Sequence, residues 1–360
     1  MSLKNLHNLL KPKLGHYGKF LLPISYSNYN TKDVVINTRK PEYSTFFDVS
    51  HMGVFESKIN NNSIKNLNNL LNIDVQKISP NKSKLCVILN NGYVVDDLIL
   101  SNINNKKFRL VVNANNKDYF KNMNYLKEQN KYIFALQGKG AQNSVEQIFD
   151  INLNNIYFMD NTTINKNIEI SRCGYTGEDG FEFYLEKKTG YNLFNEIITL
   201  SKKNEKILFG GLIARDILRI EAGLNLSGSE FNKDMNIKFN SLNMNFLLDK
   251  DYRIQNKNAL ISNYKQYKFY SNKPITLGPI YNKNEKVGLI TSSTKSFNLN
   301  KFIALGYLDL DLDLDLDLDL DLDLDLDLDN QIYVKDTRNR NNIIKIHFDN
   351  FINTNYYKKK

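Results

Sequence analysis

The chain has 360 residues, 41% of them hydrophobic, which is enough for more than one compact unit and excludes wholesale disorder. No run approaches the roughly 20 uninterrupted apolar residues of a membrane-spanning helix, and two cysteines with four scattered histidines exclude a disulfide scaffold or a cysteine-rich metal site. The net charge is +9, but 40 of the 48 basic residues are Lys dispersed among 55 Asn, without the Arg-rich, aromatic-interleaved stripe of a nucleic-acid binder.

The opening MSLKNLHNLLKPK carries Leu3, Leu6, Leu9 and Leu10, and the first acid is Asp33. It reads as a first helix ended by Pro12, with an acid-poor targeting segment as the alternative. From Pro41 onward, FFDVSHMGVFESKI, KLCVILNNGYVVDDLIL and FRLVVNAN read as strands. KDYFKNMNYLKEQ and GAQNSVEQIF follow as helices, and NIEISRCGYTGEDGFEFYL returns to strand. YNLFNEIITLSKK puts Leu193, Phe194, Ile197 and Ile198 on one helical face, and LIARDILRIEAG is a further helix ending near Gly223. This irregular alternation predicts an α+β class.

After about residue 265 the pattern is strand-only: KPITLGPIY, KVGLITSS, FIALGYL, QIYVK and NIIKIHF. It predicts a small all-β barrel or sandwich. Residues 308–329 are a Leu-Asp repeat with 11 aspartates, and the rest of the chain carries +20. As one strand the repeat would extend about 70 Å, longer than a small domain offers. Its carboxylates repel one another, so it reads as a solvated insertion loop without chemistry of its own.

Chemistry concentrates in a few places. Asp96 and Asp97 interrupt an apolar strand, and alternation sends their carboxylates to opposite faces, at least one of them inward. An inward carboxylate serves binding or catalysis; the alternative is an edge-strand charge. RCGYTGEDGFEFY, residues 172–184, sets Gly174, Gly177 and Gly180 among Arg172, Tyr175, Glu178, Asp179 and Glu182. Three carboxylates there repel an anion and suit a ligand offering N–H donors; the alternative is a charged hairpin loop. Arg215 and Arg219 share one face of a helix, near Asp216 and Glu221, in an ordinary ion-paired pattern. FINTNYYKKK reads as a frayed basic tail.

FDVSHM at 47–52, DDLI at 96–99, LQG at 136–138, RCGYTGEDGFE at 172–182, ARDILRIEAGL at 214–224, GLITS at 288–292 and ALGY at 304–307 follow the order of one family. The sequence resembles the T-protein of the glycine cleavage system, an aminomethyltransferase, over roughly residues 15–357. The resemblance implies a three-subdomain cloverleaf. Residues 1–262 would form a folate-binding region of two interleaved α+β subdomains, and 263–357 a C-terminal barrel-like domain interrupted at 308–329. It implies tetrahydrofolate as co-substrate, no metal, and a lipoylated H-protein as partner. A monomer located in mitochondria is expected, with neither nucleic acid nor membrane as partner.

Residue by residue, the resemblance makes Asp97 the catalytic carboxylate, held beside the folate nitrogens to orient them and stabilise developing positive charge. Glu182 would accept the paired donors of the pterin, its 2-amino group and ring N–H, in a bidentate pair. Tyr175 would stack on or bond to the folate. Arg215 would contact the ligand or clamp Glu182, Tyr356 would touch substrate, and Met52 and Asn113 would line the channel. The chain departs from the family pattern at Ser227 (usually Tyr), Phe239 (an acid), Met244 (Trp) and Phe297 (Pro). The alternative is a non-enzymatic folate-binding paralogue acting in iron–sulfur cluster assembly. Such proteins carry a K-G-C-[YF]-x-G-Q-E signature, where this chain has RCGYTGEDG. A flavin-linked relative would need a Gly-rich dinucleotide fingerprint, and residues 1–50 contain none.

Overall fold

A computed structural model describes residues 2–164, 168–310 and 331–359. Contacts divide the chain into two units: Met1–Ile88, Asp96–Arg219 and Asn353–Lys360 form one, and Leu89–Val95 with Ile220–Ile352 the other.

The first unit opens with α1 (Lys4–Leu9). Leu3, Leu6 and Leu10 are buried in an aromatic core, so the segment is a packed first helix. Lys11 has φ 52° and turns the chain into β1 (Pro12–Tyr17), which hairpins onto β2 (Phe20–Tyr26). Next come α2 (Thr31–Thr38), β3 (Ser44–Asp48) and β4 (Gly53–Lys58). The run FFDVSHMGVFESKI is therefore two strands, and they lie in different sheets. The helix α3 (Asn61–Leu71) was not expected from the sequence. Asn60 and Ser63 form a capping box at its start, and Leu67 and Leu71 are buried along it.

Then follow β5 (Ser83–Asn90), β6 (Tyr93–Ile103), β7 (Lys107–Val112), α4 (Lys117–Lys121) and β8 (Lys127–Gln129). The helix expected over KDYFKNMNYLKEQ is cut to α4, and pairing of β8 with β4 (Val54 opposite Gln129) draws its last three residues into strand. The unit continues with β9 (Lys131–Gln137), α5 (Ala141–Phe149), β10 (Asn161–Ile164), β11 (Ile168–Ser171), β12 (Gly180–Glu186), α6 (Lys187–Ser201), β13 (Ile207–Phe209) and α7 (Leu212–Glu221). One sheet runs β10-β11-β12-β9-β3-β13, the other β5-β6-β7-β4-β8. The expected face of α6, Leu193, Phe194, Ile197 and Ile198, packs with Phe46, Phe134, Phe181 and Phe183 in the core.

The second unit closes β14 (Tyr264–Ser271), β15 (Gly278–Asn282), β16 (Glu285–Ser296), β17 (Lys301–Asp309), β18 (Ile332–Lys335) and β19 (Asn341–His347) into a barrel of order β14-β17-β16-β15-β18-β19. Pairing of Phe269 with Ile346 seals it. Phe269, Ile280, Ile290, Leu308, Val334 and Ile344 share its core. Gly288 and Gly306 sit where a Cβ would meet the carbonyls of Tyr307 and Leu289, so close strand approach demands glycine there. The α+β class and the C-terminal barrel are thus both present. Phe239, where the family has an acid, is a fully buried core residue. Leu308 and Asp309 complete β17, while 311–329, the body of the Leu-Asp repeat, lies outside the described residues.

Candidate active site

All seven residues singled out from the sequence fall in the first unit. Asp96 and Asp97 lie on β6 just beyond its last pairing with β7, Leu98 opposite Val112. Past that pairing the chain turns away at Asn113, leaving the end of β6 without a neighbour on the β7 side. Strand alternation buries Asp96 to 1% exposure and leaves Asp97 half-buried on the opposite face. The Nδ2 of Asn113 is 2.8 Å from Oδ1 of Asp96 and 2.8 Å from Oδ1 of Asp97, and 3.1 Å from the Asp97 carbonyl. The amide therefore holds both carboxylates.

The glycine turn is moulded around Gln137. A Cβ at Gly174 or Gly180 would strike its side-chain amide, and Gly177 has φ +77°. Gln137 donates to the Cys173 carbonyl at 3.0 Å and accepts from Thr176 at 3.1 Å. Two of the turn's three carboxylates are spent on structure. Arg172, 1% exposed, binds Asp179 through Nε at 2.9 Å and Nη2 at 2.5 Å. Glu178, also 1% exposed, accepts from Arg39 at 3.0 Å and from Asn355 at 2.9 Å. Burial raises its pKa, opposed by the Arg39 guanidinium.

Glu182 is different. It is 6% exposed, and Tyr184 donates to its Oε2 at 2.9 Å. The Cys173 thiol beside it is pushed well up by burial and then by the Glu182 carboxylate. The Tyr184 ring carries the guanidinium of Arg109 on its face, at 3.7 Å from the centroid. Arg109 is wholly buried and donates to Glu169 at 3.1 Å, to Asn161 at 2.9 Å and to Ser171 at 2.8 Å. No ion pair joins Arg215 to Glu182 among the described residues, so the clamp expected as one alternative is absent.

Arg215 instead lies over the ring of Tyr175, 4.9 Å from its centroid. Its Nη1 is buried and has no hydrogen-bond partner among the described residues; the same holds for Nδ1 of His51. His51 packs edge-on against Tyr17 at 5.5 Å. Burial, and then the nearby Arg215 charge, push its pKa down to about 4, which keeps the imidazole neutral. Tyr17 is raised by burial and feels the charges of both Arg215 and Asp97, which marks these groups as neighbours. Met52 follows His51 and turns back through its N–H to the Val49 carbonyl at 3.0 Å.

The C-terminal segment is not a frayed tail. Tyr356 stacks on Phe158 at 4.2 Å, and Tyr357 stacks on Tyr157 at 5.5 Å while lying 4.0 Å from the Arg172 guanidinium. The Asn355 N–H donates to the Gly177 carbonyl, and the Phe158 N–H to that of Tyr357. Ring stacking and backbone pairing override the polar, Lys-rich composition that suggested fraying. Burial, then the Glu178 charge, push the Tyr356 hydroxyl up to about 12. The structure thus joins Asp97 to Asn113, sets Arg215 on Tyr175, and places Glu182 with Tyr184 and Cys173. The sequence reading missed His51, Gln137 and Tyr184, although they sit within FDVSHM, LQG and RCGYTGEDGFEFY, and it missed Arg39 and Asn355, which carry no local signature.

The first unit thus carries a carboxylate pair on β6 and a buried glutamate on β12, the second is a six-stranded barrel, and the relatives that follow make the chain a folate-dependent one-carbon transferase. The family model described as the GCVT N-terminal domain matches residues 3–251. The chain is 31% identical to an aminomethyltransferase of Oceanobacillus iheyensis over 327 residues, covering 82% of this chain and 85% of that one. It is 30% identical to an aminomethyltransferase of Thermosipho melanesiensis over 331 residues, covering 84% and 87%. The crystal structure of glycine cleavage system aminomethyltransferase T from Bartonella henselae superposes with a TM-score of 0.83 at 22% identity, covering 99% of this chain and 98% of that one, and so shares the fold. The chain belongs to the aminomethyltransferase family. Its relatives in Oceanobacillus, Thermosipho and Listeria are bacterial, and this overturns the expected mitochondrial location: the similarity supplies a bacterial setting, not an organelle.

Proposed function

We propose that this chain moves the methylene carbon of an aminomethyl group, carried on the lipoyl arm of an H-protein, to tetrahydrofolate, releasing ammonia. The observation that carries the reading is Asp97, a half-buried carboxylate on β6 just past its last pairing with β7, fixed by the Asn113 amide at 2.8 Å. Two buried nitrogens without partners, on Arg215 and His51, fit a ligand rich in acceptors, and Glu182 fits the paired N–H donors of a pterin. Tetrahydrofolate, when bound, supplies the attacking nitrogen. Asp97 then orients that nitrogen and stabilises positive charge as it develops, without a shift of its own position, because Asn113 already holds it. Glu182, steadied by Tyr184, accepts the pterin donors, and Tyr175 presents a ring face backed by Arg215.

Aminomethyl-loaded H-protein and tetrahydrofolate should yield ammonia with the purified chain. Asp97→Ala should slow release by roughly 10²-fold while changing tetrahydrofolate affinity far less. Equal losses in both would make Asp97 a binding residue only. Tetrahydrofolate affinity unchanged in Glu182→Ala would remove Glu182 from the site. Folate binding with no turnover on any H-protein would leave the non-enzymatic paralogue as the better reading.

A further inference from the structure

We propose that Arg39 is the positioning residue that assembles three separate segments, those carrying Tyr175, Arg215 and Tyr356, into one ligand site. It caps the end of α2 and its side chain is only 10% exposed. Its guanidinium bonds to two of these segments directly and reaches the third through Glu178. Nη1 donates to the Thr176 carbonyl at 3.0 Å and to Glu178 Oε1 at 3.0 Å, both in the turn that carries Tyr175. Nη2 donates to the Leu218 carbonyl at 3.1 Å, three residues along α7 from Arg215. The second Glu178 oxygen accepts from the Asn355 side chain at 2.9 Å, and Asn355 forms a parallel bridge with Glu178, which fixes the segment that continues into Tyr356.

A planar fork with donors in set directions can serve three acceptors at once, whereas the ammonium of a lysine acts as a point charge on a flexible stem. Glu178 needs this partner, because a carboxylate buried to 1% exposure is costly unless paired and hydrogen-bonded. Arg39 bonds to the turn and to the α7 backbone directly, and through Glu178 to the tail, so its influence runs along those three segments.

The inference rests on assigning Tyr175, Arg215 and Tyr356 to the ligand, and its test separates the two. The full chain is titrated with tetrahydrofolate alone by calorimetry, and hydrogen exchange is followed at the Asn355 and Phe158 amides. Arg39→Lys should weaken tetrahydrofolate binding on the order of tenfold, the scale expected of small misplacements. It should also speed exchange at both tail amides, while β9 exchanges as before. Because loss of Arg39 alone strands a buried carboxylate, the double variant Arg39→Met/Glu178→Gln removes both charges and guards against simple unfolding. A folded double variant with unaltered affinity and tail protection overturns the proposal. Faster tail exchange with unaltered affinity, while Arg215→Lys and Tyr356→Phe do weaken binding, reduces Arg39 to a structural clamp and also overturns it. Unaltered affinity in those two controls as well would instead defeat the ligand assignment, with the tail exchange still reporting on the clamp.

Discussion

β12 and β17 are both central strands buried on two faces, yet they use the second face in opposite ways. In β12, Phe181, Phe183 and Leu185 enter the aromatic core, while the opposite face carries Glu182 and, bonded to it, Tyr184, whose ring lies under the Arg109 guanidinium. In β17, Ala304 and Leu308 enter the barrel core and Ile303 and Leu305 pack with Ile220 and Phe351, the one buried polar side-chain group being the Tyr307 hydroxyl on the Glu230 carbonyl. Apolar burial on both sides is the cheaper solution. A strand that instead buries a carboxylate, with no ion pair to it among the described residues, gives up stability, and the ligand contact proposed for Glu182 supplies a reason outside folding.

The contrast can be broken at either strand. Arg109→Met should cost about 4 kcal/mol in urea unfolding, because it strips a buried network of its cation, and should weaken tetrahydrofolate binding as Tyr184 loses its platform. Leu305→Ala should cost about 3 kcal/mol through its cavity and leave tetrahydrofolate affinity of the folded protein unchanged. If both variants lost only stability, the charged face of β12 would be structural.

Acid sharpens the contrast further. His51 has a folded pKa of about 4 against an ordinary value of 6.5, so the unfolded chain takes up its proton first. Its contribution is fully present above pH 6.5 and is lost as pH falls towards 4, by about 3 kcal/mol. Chemical unfolding of His51→Gln across that window should show a shallower slope. Glu169, held down to about 2 despite its burial by Arg109, Lys131 and Lys107, gives a separate loss only below pH 4.5. The smallest effect belongs to Tyr184→Phe. Losing one hydroxyl bond to Glu182 should cost about 1 kcal/mol, read as a several-fold rise in the Kd for tetrahydrofolate with little change in unfolding.

Much of this was legible because local physics agrees with the fold. Val94-Val95 and Leu98-Ile99-Leu100 mark β6 as a strand, which makes the acids between them conspicuous. The face of α6 follows directly from Leu193, Phe194, Ile197 and Ile198. The barrel strands are short apolar runs between turns. What stayed hidden depends on distant partners. In α3 the apolar spacing is diluted by Asn, and the helix rests on a capping box and on burial of Leu67 and Leu71. The strand character of β8 exists only through β4. RCGYTGEDG shows three carboxylates in its extended form down to Glu182, but only Arg39, Arg172 and Asn355, drawn in by the fold, reveal that Glu178 and Asp179 are held by partners.

The path of the backbone has a consequence for biosynthesis. Residues 353–357 belong with the unit begun by Met1, yet they leave the ribosome after the whole of 220–352. While that intervening stretch is being translated, Asp97 and Glu182 have already been made, but Asn355 has not arrived to hold Glu178. On the assembly proposed for Arg39 and Glu178, the acids are thus made before the latch that Asn355 completes.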